Sequence, residues 1–217
     1  MQKLINYLDK ELMVITKGKS DKLILMIGEN EAYKYLDDID YNILIINNID
    51  WDNELAPWDI KEGKMFTFNG GADLFLTKVE DILRYVINLL SEENIHISNV
   101  TICGYSLAGL FSTYAIFKSN SFDSLISVSS SFWYPKFIDF VKSHKISDKI
   151  SKIYFSLGDL EGKTRTKFFK DIDLATEMVY NSIEKTISNK KFEYNHGNHF
   201  DMPDQRLAKG IRFILSK

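Results

Sequence analysis

The sequence predicts an α/β fold in which a mostly parallel central sheet is covered by helices on both faces. Short unbroken apolar runs alternate with longer segments of helical period. The runs also lack the in/out alternation of a half-solvated sheet, the pattern a strand leaves when both its faces are covered. With 217 residues, 45% hydrophobic and 26% charged, the chain has the length and balance of one globular domain, 1–217. No repeat, low-complexity tract or Pro/Ser-rich linker divides it.

Taken in order, the strands are expected at Lys22–Ile27, 42–47, 100–103, 125–128, 153–157 and 192–195. Helices are expected at 73–90, where Leu74, Val79, Ile82, Leu83, Val86, Leu89 and Leu90 form one broad stripe, and at 167–187 and Pro203–Leu215. Pro203 fits the first helical turn, where its missing N–H costs nothing. Two stretches break the rhythm. Residues 48–71 hold Trp51, Pro57, Trp58 and the pair Gly70-Gly71, and residues 129–137 hold Phe132, Trp133, Tyr134 and Pro135. Both follow predicted strands, and in open α/β sheets ligands bind outside the carboxyl ends of strands. Trp51, Trp58, Phe132 and Trp133, with Tyr105, are therefore candidate substrate-binding residues; the competing reading is that these aromatics cap the core of a small domain.

Charge and cysteine content narrow the partners. Lys+Arg 27 against Asp+Glu 30 gives a net charge of -3, so there is no basic field to neutralise a phosphate backbone and no nucleic-acid partner is expected. The single cysteine, Cys103, lies in an apolar run and reads as a small buried thiol. Residues 1–12 mix apolar and charged side chains and lack the apolar core of a secretory signal. The longest apolar runs fall far below the roughly 18 residues of a membrane span. The expected location is the cytoplasm, with no membrane association.

One motif carries chemistry. Val100-Thr101-Ile102-Cys103 runs into Gly104-Tyr105-Ser106-Leu107-Ala108-Gly109 and then into the amphipathic stretch 110–118. A strand, a turn and a helix in this order form a nucleophile elbow, in which the residues two before and two after the serine must be small. Gly104 and Ala108 hold those positions, and Gly109 gives further room for close packing. The serine is expected in a strained conformation with its hydroxyl exposed, and the Leu107 N–H points toward a developing oxyanion.

A serine hydroxyl needs a base, and the base needs an orienting acid. On this kind of fold the chain order is Ser, then Asp or Glu, then His. Of four histidines, His96 precedes the serine and His144 sits in a polar segment, whereas His196 and His199 follow the last predicted strand. His199 is favoured because Gly197-Asn198 supplies a flexible turn that swings the next imidazole over the sheet. The spacing His196-x-x-His199-x-Asp201 also offers three metal-ligand types, but a metal leaves the serine elbow unexplained, so neither metal nor cofactor is expected. The acid belongs in the loop after strand 153–157. Glu161 is placed ahead of Asp159, because Asp159 directly follows Gly158 and suits a turn, while the longer Glu161 reaches an imidazole Nδ1–H. The second oxyanion donor is expected in the loop after strand 42–47, from Ile49, Asp50 or Trp51.

Together, Gly104-Tyr105-Ser106-Leu107-Ala108-Gly109, the segment from Val128 to Pro135, Leu157-Gly158-Asp159-Leu160-Glu161 and Gly197-Asn198-His199-Phe200 resemble an esterase branch of the α/β-hydrolase superfamily. That branch includes esterase D and the enterochelin (siderophore) esterases. The resemblance runs from about Leu23 onward. It implies a three-layer α/β-hydrolase sandwich and carboxylic-ester hydrolysis through Ser106, with Glu161 and His199 as acid and base. The 50–58 loop would be its oxyanion side. This chain departs in being short: no large cap domain fits between Ser129 and Ile153, which speaks against large, cap-enclosed substrates.

The expected partner is thus a small-molecule ester. An acyltransferase using the same acyl-enzyme and a non-catalytic binding module on the same fold are the competing functions. The acyl and alcohol parts of the substrate and the oligomeric state are not legible in the sequence.

Overall fold

The computed structural model describes residues 1–62, 66–164, 166, 169–183, 187 and 189–216. A hairpin of β1 (Gln2–Tyr7) and β2 (Lys10–Lys17) leads into β3 (Lys22–Ile27) and β4 (Tyr41–Asn47), with a 3-10 turn at Ala32–Tyr35 between them. A short helix α1 (Trp51–Glu54) and a hairpin of β5 (Asp59–Glu62) and β6 (Phe66–Asn69) precede the long α2 (Ala72–Glu92). Then come β7 (Asn99–Tyr105), α3 (Leu107–Lys118), β8 (Ser124–Val128), α4 (Phe137–Ser143), β9 (Lys152–Gly158), α5 (Ile172–Ser182), β10 (Asn189–Asn195) and α6 (Pro203–Leu215).

The main sheet has eight strands in the order β1-β2-β4-β3-β7-β8-β9-β10. β2 pairs antiparallel with both β1 and β4, and every pairing from β4 to β10 is parallel. Strand order reverses between β3 and β7, the place where an open α/β sheet forms a crevice at its carboxyl edge.

The apolar runs are explained by cover on both faces. Leu23, Leu25 and Ile27 pack with Leu44 and Ile46 under α2 and α3. Ile24 and Met26 pack with Ile43 and Ile45 under α6 and the 3-10 turn. Leu207, Ile211 and Ile214 form the stripe that docks α6, each contributing about 2 kcal/mol by leaving water.

Three expectations need adjusting. The 110–118 stretch is not amphipathic: residues 107–116 are buried all round, and Ser112 and Thr113 satisfy their hydroxyls on the Ala108 and Gly109 carbonyls at 2.8 Å each. The helix expected at 167–187 is shorter, Ile172–Ser182, and residues 167, 168 and 184–186 of that expectation lie outside the described residues. The N-terminal hairpin was not foreseen, because edge strand β1 alternates exposed and half-buried residues and exposes Leu4. Among the described residues no helix is long and apolar enough to cross a membrane.

Candidate active site

Ser106 stands between β7 and α3 with φ 59° and ψ −122°, a strained conformation for a residue with a side chain, of order 1–3 kcal/mol. The surroundings over-determine it. A Cβ on Gly104 would lie 2.1 Å from the Ala108 carbonyl oxygen, and one on Gly109 would lie 2.0 Å from Ser130 Oγ. At 104 the obstruction is backbone, so glycine is required there to close the bend, whereas at 109 it is chiefly a serine side chain. The Ser106 N–H donates to the Val128 carbonyl at 3.0 Å, and its carbonyl accepts the Leu110 and Ser131 N–H groups at 3.1 and 3.0 Å. Leu107 opens α3, so its N–H has no intrahelical acceptor.

Three further parallel strands deliver the remaining groups to the same edge. Ser129 follows β8, Glu161 follows β9 and His199 follows β10. His199 Nε2 lies 3.0 Å from Ser106 Oγ, and its Nδ1 lies 2.8 Å from Glu161 Oε2. An ionised carboxylate only accepts, so Nδ1–H donates to it and Nε2 is left to accept from the Ser106 hydroxyl.

Glu161 is 7% exposed. Burial alone would raise its pKa, but donors from His199, Ser129 and the Gly158 N–H outweigh that and hold the carboxyl below its ordinary range. Its Oε1 accepts the Gly158 N–H and Ser129 hydroxyl at 2.7 Å each and Arg206 Nη1 at 3.0 Å.

Asp159 is engaged elsewhere. It meets His196 Nδ1 at 3.2 Å and accepts the Gly197 N–H at 2.9 Å, and His196 is largely exposed. The two loop histidines thus take different carboxylates, and among the described residues no three His, Cys, Asp or Glu side chains gather as metal ligands. The 197–201 turn is stapled rather than flexible: Asn198 N–H donates to Asp201 Oδ2 at 2.7 Å and Phe200 N–H to Asn198 Oδ1 at 2.9 Å. His96 and His144 are exposed.

The loop expected to supply the second oxyanion donor, after β4, lies one strand further from the elbow than the loop after β3. β3, not β4, is the neighbour of β7, with Ile27 opposite Gly104, so the loop after β3 flanks the elbow. The Asp50 N–H is committed to Glu54 Oε2 at 3.0 Å. Trp51 reaches across Gly28, where a Cβ would lie 3.0 Å from its ring, and lines a cavity of about 150 Å³ with Gly104, Tyr105 and Asp204.

The cleft at Ser106 has a volume of about 300 Å³, with Ser129, Ser130 and Ser131 along one wall and Trp133, Phe169, Ile172 and Phe200 supplying apolar surface. Trp133 meets Phe169 edge-on at 5.4 Å. Of the other aromatic candidates, Tyr105 sits 5.2 Å from the His199 ring, and burial first, with the Glu161 charge second, pushes its phenol up to about 12. Phe132 is buried between Phe137 and Phe155. Trp58 donates its indole N–H to the Pro135 carbonyl at 3.1 Å and packs on Tyr134 and Phe137. Phe132 therefore belongs to the core, and Trp58, half-buried, packs against it. Sequence reasoning missed Ser129, Phe169, Ile172, Phe200 and above all Arg206, whose only signal is a charge set into the apolar stripe of α6.

No family model matches the chain. A curated protein, the siderophore enterobactin esterase of Emericella nidulans, is 36% identical over 67 residues, which are 30% of this chain and 22% of that protein. Among solved structures, siderophore hydrolase EstA from Aspergillus nidulans superposes with a TM-score of 0.70 at 18% identity, over 99% of this chain and 93% of its own. The enterobactin esterase FES from Shigella flexneri, solved with 2,3-di-hydroxy-N-benzoyl-serine, gives 0.71 at 16% identity over 99% of this chain and 58% of its own. An IroE-like serine hydrolase from Shewanella oneidensis gives 0.71 at 16% identity over 94% and 74%. The fold is that of the siderophore esterases. It is an eight-stranded, mostly parallel sheet covered by helices, with Ser106 at its carboxyl edge.

Proposed function

We propose that this chain is a serine esterase that cleaves a small carboxylic ester through an acyl-enzyme on Ser106. The observation that carries the reading is the unbroken line from Ser106 Oγ through His199 to Glu161, with links of 3.0 and 2.8 Å. In this reading His199 takes the serine proton as Oγ attacks the carbonyl, then gives it to the leaving alkoxide. Glu161 holds the imidazole tautomer and stabilises the imidazolium that forms. Water, deprotonated by the same imidazole, releases the acid.

The tetrahedral oxyanion is received by the Leu107 N–H and by one amide of the loop after β3. Hydrogen bonds commit Gly28, Glu31 and Ala32 there, which points to the N–H of Glu29 or Asn30. Each such donor is worth about 3 kcal/mol in the transition state. Trp133, Phe169 and Ile172 suit an apolar acyl or aryl group, and a cavity of about 150 Å³ already holds benzene. The neighbours named for siderophore hydrolysis support ester chemistry in this fold; the substrate proposed here is defined by the cleft alone.

The test is hydrolysis of p-nitrophenyl butyrate by the wild type and by Ser106→Ala. The wild type turns over with a burst of nitrophenol, and the variant stays folded and inactive. A folded variant that keeps the burst overturns the proposal.

A further inference from the structure

Arg206 lies in the first turns of α6, where a charged residue would ordinarily face water. Its side chain is instead 2% exposed and points back beneath the loop that carries His199. Nη1 donates to Glu161 Oε1 at 3.0 Å and to Ser129 Oγ at 3.2 Å. Nη2 donates to the carbonyl of Asn198 at 3.0 Å and, at 3.5 Å, to that of His196.

From these contacts, and resting on the esterase reading above, we propose that Arg206 is a positioning residue that locks the acid and the base of the site onto one guanidinium. A carboxylate can rotate or exchange oxygens, and it orients an imidazole only if one oxygen is reserved for it. Here the Gly158 N–H, the Ser129 hydroxyl and Arg206 together occupy Oε1, leaving Oε2 for His199 Nδ1. The other arm holds the two carbonyls that bracket Gly197, so the loop bearing the imidazole is registered against the carboxylate it must meet. The planar fork makes this possible, since its nitrogens serve two acceptors sets in one plane; a lysine ammonium keeps the charge and loses the second arm.

The experiment measures kcat and KM for p-nitrophenyl butyrate in Arg206→Lys, alone and in a Glu161→Gln background, with thermal melts of each protein. Misplacement by about 1 Å is enough to cost about 100-fold in rate. Arg206→Lys is expected to lose about 10- to 100-fold in kcat with KM within about threefold. In the Glu161→Gln background the same change costs at least about threefold less than in the wild type, because only the hold on the loop carbonyls is left to lose. Equal losses in both backgrounds, or a kcat within about threefold of wild type, overturn the inference.

Removing one partner of a buried ion pair strongly destabilises, so the pair variant Glu161→Gln with Arg206→Met, which leaves no lone charge, is the second arm. It is expected to fold and to keep a kcat within about tenfold of Glu161→Gln, since only the hold on the loop carbonyls is lost, and a larger loss contradicts the proposal. A wild type that neither hydrolyses the ester nor reacts with a fluorophosphonate overturns the esterase reading and this inference with it. An active wild type with an unaffected Arg206→Lys overturns this inference alone.

Discussion

Gly104→Ala puts the bend at Ser106 under direct load. The new Cβ would stand 2.1 Å from the Ala108 oxygen, 2.3 Å from its carbon and 2.7 Å from the Gly109 nitrogen. A Cβ tolerates about 3 Å, so the first turn of α3 must retreat by about 1 Å, and the obstructing atoms are backbone that no rotamer can move. Overpacking of this kind costs about 1–3 kcal/mol of stability. The same retreat carries Ser106 Oγ and the Leu107 N–H away from His199, which predicts a loss of about 100-fold in kcat. Gly109→Ala provides the contrast. Its nearest obstruction is the Ser130 hydroxyl at 2.0 Å, a side chain, with Ser130 Cβ and the Gly104 oxygen next at 3.0 and 3.1 Å, so adding Ser130→Ala should recover part of the loss at position 109 and none at position 104. Rates of p-nitrophenyl butyrate hydrolysis and urea unfolding of the four variants decide the matter. A Gly104→Ala protein with wild-type rate and stability would refute the reasoning.

Other outcomes follow from the same geometry. Glu161→Gln should lower kcat by about 10⁴-fold through the wrong imidazole tautomer, whereas Asp159→Asn, at a carboxylate that meets His196 and the Gly197 N–H, should stay within about threefold; steady-state kinetics of the two variants reverse the acid assignment if the losses are swapped. Glu161 is held below its usual value of 4.5, so its stabilising contribution is full above about pH 4.5 and is lost as pH falls through its lowered folded-state pKa. The unfolding free-energy gap between wild type and Glu161→Gln should therefore be wider at pH 7 than at pH 3. Trp133→Ala should raise KM for p-nitrophenyl benzoate at least about fivefold relative to the acetate, since one to three kcal/mol attends loss of a ring contact; an unchanged ratio would remove Trp133 from the substrate cleft.

The parts legible in the sequence are those where local chemistry leaves one solution. β3, β4 and β8 are covered on both faces, so they announce themselves as apolar runs. The elbow is equally local, since its tightness dictates Gly104 and Ala108. β1 and β2 escape because an antiparallel edge hairpin needs only one buried face, and its polar residues read as a charged N-terminus. Which loop flanks the elbow is hidden for a topological reason: β4 follows β3 in sequence but β3 lies beside β7 in the sheet, and sequence order alone does not say which loop reaches the elbow. Arg206 is hidden by long-range pairing. Its acceptors, Glu161 and Ser129, lie 45 and 77 residues away.

We propose that Ser106 is a nucleophile primed by His199. Labelling with a fluorophosphonate, mapped by mass spectrometry in the wild type and in His199→Ala, reads both residues in one experiment. A single adduct is expected on Ser106, forming rapidly in the wild type and at least about 100-fold more slowly in the folded variant. An adduct on another residue, or equal labelling rates in the two proteins, would contradict it.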